Sequence, residues 1–201
     1  MPVTIGPVSW TRMSDAIETV RRRLLRAAAA LSKVGVPYAV VGGNAVAAWV
    51  SRADEAAVRN TRDVDILLER ADLPAAIAAL EQAGFIHRRV ASLGQTGRMD
   101  VFLEGEAGKV RDALHIVFAA EKTHDDQPEA NAGVGESEDT GGFRLISLEA
   151  LVHMKLNAFR DKDRVHLRDL ASVGLIDDTW PGRFSSILAA RLREILDSPD
   201  A

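Results

Sequence analysis

Two aspartates one residue apart, Asp63 and Asp65, lead into the apolar run Ile66-Leu67-Leu68. On a β-strand, residues i and i+2 point to the same side. Their carboxylates then stand about 7 Å apart along the strand and can converge on hard divalent cations, which take oxygen ligands. The alternative is two exposed acids on the polar face of a strand. A third acid, Asp100, opens a separate apolar run, Val101-Phe102-Leu103. If the two strands are neighbours, three carboxylates meet at one sheet edge. Three acids suit two Mg²⁺ ions, which activate an attacking hydroxyl and neutralise phosphate charge. Asp100 is also placed to take the hydroxyl proton as a general base. Upstream, the apolar run Tyr38-Ala39-Val40-Val41 stops at Gly42-Gly43. Glycines between a strand and a helix let backbone approach a ligand, and the helix N-terminus offers free N–H groups to phosphate. Together these residues predict a place for a divalent metal and a triphosphate.

The elements that must position them follow from the patterning. Residues 1–10 read as an irregular arm. Ser14 is expected to cap a helix running to about Val34, with Ile17, Val20, Leu24, Leu31 and Val34 inward and Arg21, Arg22, Arg23 and Arg26 outward. That arginine run reads as a solvated face rather than a polyanion contact. Gly35 ends the helix and Pro37 prevents its resumption. A strand over 38–41, a helix over 44–50, a loop over 51–62 and a second strand over 63–69 come next. A helix from about Asp72 to Gly84 follows, then strands over 85–90, 98–103 and 113–119, with turn chemistry at 92–97. Residues 121–142 are polar, acidic and glycine-rich, which predicts a long flexible loop. After Ser147, a helix cap, the pattern is helical: to about Arg160, from Arg164 to Val173, and from Gly182 to Leu196. The fold class is therefore α/β (α+β). Residues 1–146 form the α/β core, and residues 147–201 form a helical subdomain completing the cleft.

Composition bounds the chemistry. The chain has 201 residues, 47% of them hydrophobic, and a net charge of -4, which suits one domain with a real core. The charge excludes a bulk basic protein that coats nucleic acid, though not a local basic patch. There are no cysteines, so disulfides, zinc–thiolate sites and cysteine nucleophiles are excluded. No run of apolar residues is long enough for a membrane span, and no basic-then-apolar leader opens the chain. A cytoplasmic protein without a membrane partner is expected.

The motif Val41-Gly42-Gly43-Asn44-Ala45, followed by Arg59-Asn60-Thr61-Arg62-Asp63-Val64-Asp65, resembles the signature of the polymerase-beta-type nucleotidyltransferase superfamily. The resemblance implies a mixed sheet flanked by helices, two Mg²⁺ ions (Mn²⁺ as an alternative), and an NTP whose triphosphate lies against the glycine turn. Asp63 and Asp65 match the metal ligands and Asp100 the third acid. The turn lacks the serine found in many members, so Gly43 would act through its backbone and Asn44 through its side chain. Further on, Leu148 to Arg160, then Lys162-Asp163 and Asp169-Leu170, is similar to the AbiEii-like branch, which includes toxins of toxin–antitoxin systems. Lys155 matches that branch's helical lysine, which by resemblance contacts nucleotide phosphates. Asp163 and Asp169 are expected to be structural, with Asp169 holding Lys155 or Arg160.

The expectation is an enzyme that moves an NMP from an NTP to an acceptor hydroxyl and releases pyrophosphate. The acceptor would be RNA or tRNA, a protein or a small molecule, and an antitoxin or other regulatory protein would be a partner. The rival reading is a non-catalytic binding or regulatory module of the same fold. His115 reads as a satisfied core histidine on an apolar strand, Lys122 as a lysine at the sheet edge, and His153 and His166 receive no role.

Overall fold

A computed structural model describes residues 9–91 and 98–198. The turn expected at 92–97, and most of the expected N-terminal arm, lie outside the described residues. The strands are β1 (Tyr38–Val41), β2 (Val64–Leu68), β3 (Ile86–Ala91), β4 (Arg98–Leu103), β5 (Leu114–Phe118), β6 (Ser137–Asp139) and β7 (Arg144–Ile146). They form one mixed sheet in the order β3-β4-β5-β2-β1-β7-β6. β2 runs parallel to β5 and β1 to β7; the other neighbours are antiparallel.

Helices cover both faces. On one lie α1 (Trp10–Lys33) and α3 (Leu73–Gln82). Leu24, Ala27, Ala28 and Leu31 of α1 recur at helical spacing and pack with Leu73, Ala76 and Leu80 of α3 against Val40, Ile66, Phe102 and Ile116. On the other face lie α2 (Gly42–Ala53), α4 (Leu148–Ala158), α5 (Asp161–Ser172) and α6 (Ser186–Asp197). Ala39, Val41 and Leu67 pack there with Val46, Leu151, Leu156, Leu170 and Leu192 in one cluster. The helices after residue 147 therefore share a core with the strands that carry the candidate residues.

Several expectations shift. α1 starts at Trp10, so Ser14 sits inside it; no glycine or proline separates the two positions to stop the helix. Ile17 and Val34 are exposed rather than inward. Arg23 is buried rather than outward: its Nε donates to Glu104 at 2.8 Å and its guanidinium to the Arg62 carbonyl at 2.7 Å. Arg26 also bonds Glu104 and lies over the Phe85 ring. Two of the four arginines thus tie α1 to the sheet. Gly35 ends α1 as expected, with φ +72° and with the Val36 N–H returning to the Leu31 carbonyl.

The stretch 51–62 contributes the last turn of α2 and a short 3₁₀ turn at Glu55–Ala57. The polar segment after β5 includes β6, and β7 follows it; at three residues each, neither strand is long enough to show alternation. Between β5 and β6 the chain is pinned by buried amides. Gln127 Oε1 accepts from the Thr123 and His124 N–H groups at 2.6 and 3.1 Å. Asn131 Nδ2 donates to the Phe118 carbonyl at 3.0 Å. Asn157 of α4 exchanges bonds with the Glu129 backbone at 2.9 and 2.7 Å. An open chain would leave these groups to water; burying them requires the pairing they have.

Candidate active site

The site is built where three central strands end together. β1 meets β2 with Val41 opposite Asp65, and β2 meets β5 with Asp65 opposite His115. Residues directly opposite on paired strands share a face of the sheet. Asp65 and His115 therefore stand side by side, and Gly42 follows at the turn from β1 into α2.

Gly42 is required by two constraints. Its φ is +67°, a left-handed conformation that L side chains rarely adopt. A Cβ on it would lie 1.9 Å from Asp65 Oδ2. α2 begins at Gly42 with no side-chain cap on its N-terminus, so its first N–H groups face the same corner. Asn44, expected to meet phosphate, instead donates from Nδ2 to the Asp63 carbonyl at 2.7 Å. It ties the first turn of α2 to the entry of β2. Thr61 Oγ1 donates to Asp63 Oδ1 at 2.5 Å, and a Cβ on Gly43 would touch that threonine at 3.0 Å.

His115 is the residue that sequence reasoning passed over. Its Nδ1 lies 3.4 Å from Asp65 Oδ1 and 3.9 Å from Asp63 Oδ2. Its Nε2 lies 2.7 Å from the Val110 carbonyl. A carbonyl only accepts, so Nε2 carries a proton and donates it. One ligand atom each from Asp63, Asp65 and His115 lies within 4.8 Å of the other two. Burial pushes the Asp65 carboxyl upward, but the hydrogen bond and charge of His115, aided by Lys155 and Lys162, outweigh it and hold the carboxyl below 3.8. Burial likewise pulls the His115 ring down, and its bonds to Asp65 and Val110 reverse that, raising it above 6.5. The available signal was a single polar side chain in an otherwise apolar strand, in register with Asp65 on the neighbouring strand.

Asp100 is not brought to this group. β5 lies between β2 and β4, so the strands of Asp65 and Asp100 are not neighbours. On β4 it is Val101 that pairs with His115, which turns Asp100 to the opposite face. There it is buried, 2.8 Å from His87 Nε2 and 3.5 Å from Arg89 Nε, beside the Phe102 layer. The expected three-acid cluster is two acids and an imidazole.

Lys155 lies on α4 and lines the cleft, but it is buried and its Nζ donates to Asp163 Oδ1 at 3.0 Å. Asp163 Oδ2 accepts from Arg160 Nε at 2.7 Å. Asp163, not Asp169, therefore holds both cations. Asp169 Oδ1 instead accepts from Arg59 Nε at 2.8 Å, fastening the 54–62 connection to α5. Lys122 and Lys162 also line the cleft and form no ion pair among the described residues. The cleft has a volume of about 840 Å³, within the range of roughly 300–1,000 Å³ typical of small-ligand sites. A corner of carboxylates and imidazole, uncapped helix N–H groups and lysines around one cleft can hold a cation and a polyanion together.

The family model described as an uncharacterised nucleotidyltransferase matches residues 11–195. Among solved structures, the chain is similar to the solution structure of the antibiotic-resistance factor ANT(2'')-Ia, at 16% identity, over 90% of this chain and 91% of that one, with a TM-score of 0.51. It is also similar to ANT(2'')-Ia in complex with adenylyl-2''-tobramycin, at 18% identity, 88% and 98% coverage and a TM-score of 0.51. An antigenic nucleotidyltransferase-like protein from Paracoccidioides brasiliensis aligns at 18% identity, 92% and 89% coverage and a TM-score of 0.50. At these identities the likeness is one of fold. Among curated proteins none matches. No helix among the described residues is long and apolar enough to cross a membrane.

Proposed function

We propose that this chain, which belongs to the uncharacterised nucleotidyltransferase family and is an enzyme of that class, moves a nucleoside monophosphate from an NTP to an acceptor hydroxyl. The observation that carries this reading is the Asp63–Asp65–His115 group beside the uncapped N-terminus of α2. The acceptor oxygen attacks the α-phosphorus. The bond from that phosphorus to the bridging oxygen breaks, and pyrophosphate leaves with the electron pair. The acceptor proton passes through water in the cleft to solvent.

The residues fit a divalent metal: His115 is anchored through Nε2–H to a backbone carbonyl, the arrangement usual for a metal-binding imidazole. When bound, the ion would supply charge for the phosphates and acidity for the acceptor hydroxyl. Asp63, Asp65 and His115 would hold one ion, and a second divalent ion, Mg²⁺ in the two-ion expectation, would enter with the triphosphate. Gly42 and Gly43 would present backbone N–H groups to phosphate oxygens. Lys162 and Lys122 would add charge at the cleft wall, and Lys155, tethered to Asp163 at the cleft lining, would add its charge from behind them.

The finer assignment to the AbiEii-like, toxin-type branch, with RNA or tRNA as acceptor and an antitoxin as partner, rests on the Lys155, Lys162-Asp163 and Asp169 motif. The Lys155–Asp163 bond supports that motif as a structural unit. Arg23 and Arg26 are occupied by Glu104, which leaves fewer arginines for a nucleic-acid patch and favours a small acceptor. Calorimetric titration with each NTP plus Mg²⁺ or Mn²⁺ tests the reading. Binding is expected in the wild type and lost in the Asp63→Ala/Asp65→Ala variant; no binding by any NTP, or binding unchanged in the variant, overturns it.

A further inference from the structure

We propose that His115 ligates the metal through Nδ1 in place of a third carboxylate, and that the resident ion is a nitrogen-accepting transition ion of the Co²⁺ or Zn²⁺ type rather than Mg²⁺. The inference rests on the nucleotidyltransferase reading and specifies the metal of that site.

Each of the three side chains has one atom fixed and one presented. His115 Nε2–H is held by the Val110 carbonyl, which leaves Nδ1 facing the acids, where a bound ion would take the place of the proton it shares with Asp65. Asp63 Oδ1 accepts from Thr61, and it is Oδ2 that faces the ring. Asp65 Oδ2 lies against Gly42, and it is Oδ1 that faces the ring. Metal–ligand bonds to nitrogen and oxygen of about 2.0–2.2 Å place neighbouring ligand atoms roughly 3–4 Å apart. The separations of 3.4 and 3.9 Å already match that span. With all three ligand atoms within 4.8 Å of one another, small side-chain rotations would bring the set onto one ion while the strands stay in place.

The donor set then decides which ion. Mg²⁺ takes oxygen ligands in a strict octahedron and is reluctant to shed water. Imidazole suits Zn²⁺, Co²⁺, Ni²⁺ and Fe²⁺ better. Asp100, the carboxylate expected from the sequence to complete an all-oxygen site, faces the opposite side of the sheet.

The test uses the full chain labelled with ¹⁵N in histidine. On titration with Zn²⁺, the His115 Nδ1 resonance should shift while its Nε2–H stays protonated. In parallel, the His115→Asp variant should lose at least tenfold in its preference for Co²⁺ over Mg²⁺, because it restores an all-carboxylate site. An Nδ1 resonance unmoved at saturating Zn²⁺, or a preference unchanged in His115→Asp, overturns the proposal. If either occurs while NTP binding still depends on Asp63 and Asp65, the inference alone falls. If no metal and no NTP binds, the nucleotidyltransferase reading falls with it.

Discussion

The Cα of Gly42 faces the carboxylate of Asp65 so closely that a single methyl group would sit 1.9 Å from Oδ2. A strand end, a helix start and the candidate metal corner are locked together at that point. Gly42→Ala should therefore act twice. The left-handed φ alone costs about 1–2 kcal/mol in a residue with a Cβ, and the methyl pushes Asp65 off its line to His115. The expected outcome is a lower thermal midpoint together with loss of metal binding. Gly35→Ala, at another positive φ with nothing near its Cβ, should lower the midpoint and leave metal binding intact.

Asp100 separates the observed strand order from the one expected of three neighbouring acids. Asp100→Asn should leave metal and NTP affinity unchanged, since its side chain is turned to the other face of the sheet. It should still lower stability by about 1–3 kcal/mol, because His87 and Arg89 lose a charged partner. Asp63→Asn should do the reverse, weakening metal binding with a small effect on folding. Urea denaturation and metal titration on both variants check this.

The Lys155–Asp163 pair is buried on both sides. Removing one member strands the other, so Asp163→Asn should destabilise by about 3–5 kcal/mol. The double replacement Lys155→Met/Asp163→Leu should cost much less in stability, because no buried charge is left unpaired. Burial pushes the Asp163 carboxyl up, but Lys155 and Arg160 outweigh it and hold the carboxyl below 3.8. Its contribution is present above pH 3.8 and is lost as pH falls through the lower folded value.

His166 gives a second pH dependence, at milder acidity. Burial, reinforced by Lys155 and Lys162, pushes the ring from 6.5 down to about 4, with Asp163 and Asp65 opposing only in part. Between those values the unfolded chain binds a proton that the folded chain refuses. Its contribution is present above 6.5 and is lost as pH falls through about 4. His166→Gln should flatten this slope. Chemical denaturation of both proteins at several pH values in that window reads the difference.

What was legible in the sequence was local. Gly42-Gly43 after an apolar run and Asp63-Val64-Asp65 before another announce their geometry through neighbours a few residues away, and both stand where that geometry put them. Ser147 caps α4 as its position suggested, accepting from the Ala150 N–H. The errors concern pairing. Nothing near Asp100 or His115 records that β5 inserts between β2 and β4, and that one fact sets His115, not Asp100, beside Asp63 and Asp65. The same holds for Arg23, whose burial depends on Glu104, a residue 81 positions away, and for Asp163, which takes the cations expected of Asp169 because α5 begins just after the turn that ends α4.

The central claim is transfer of an NMP, and the most direct measurement compares two labels. Each NTP, labelled at either the α- or the γ-phosphate, is incubated with the protein and, separately, with RNA, with protein, and with hydroxyl-bearing small molecules. The account predicts that one acceptor class takes up α-label and never γ-label, that pyrophosphate appears in equal amount, and that Asp63→Ala/Asp65→Ala does neither. Uptake of γ-label would mean phosphoryl rather than nucleotidyl transfer. Transfer that survives loss of both aspartates would place the chemistry elsewhere, and either result contradicts the account.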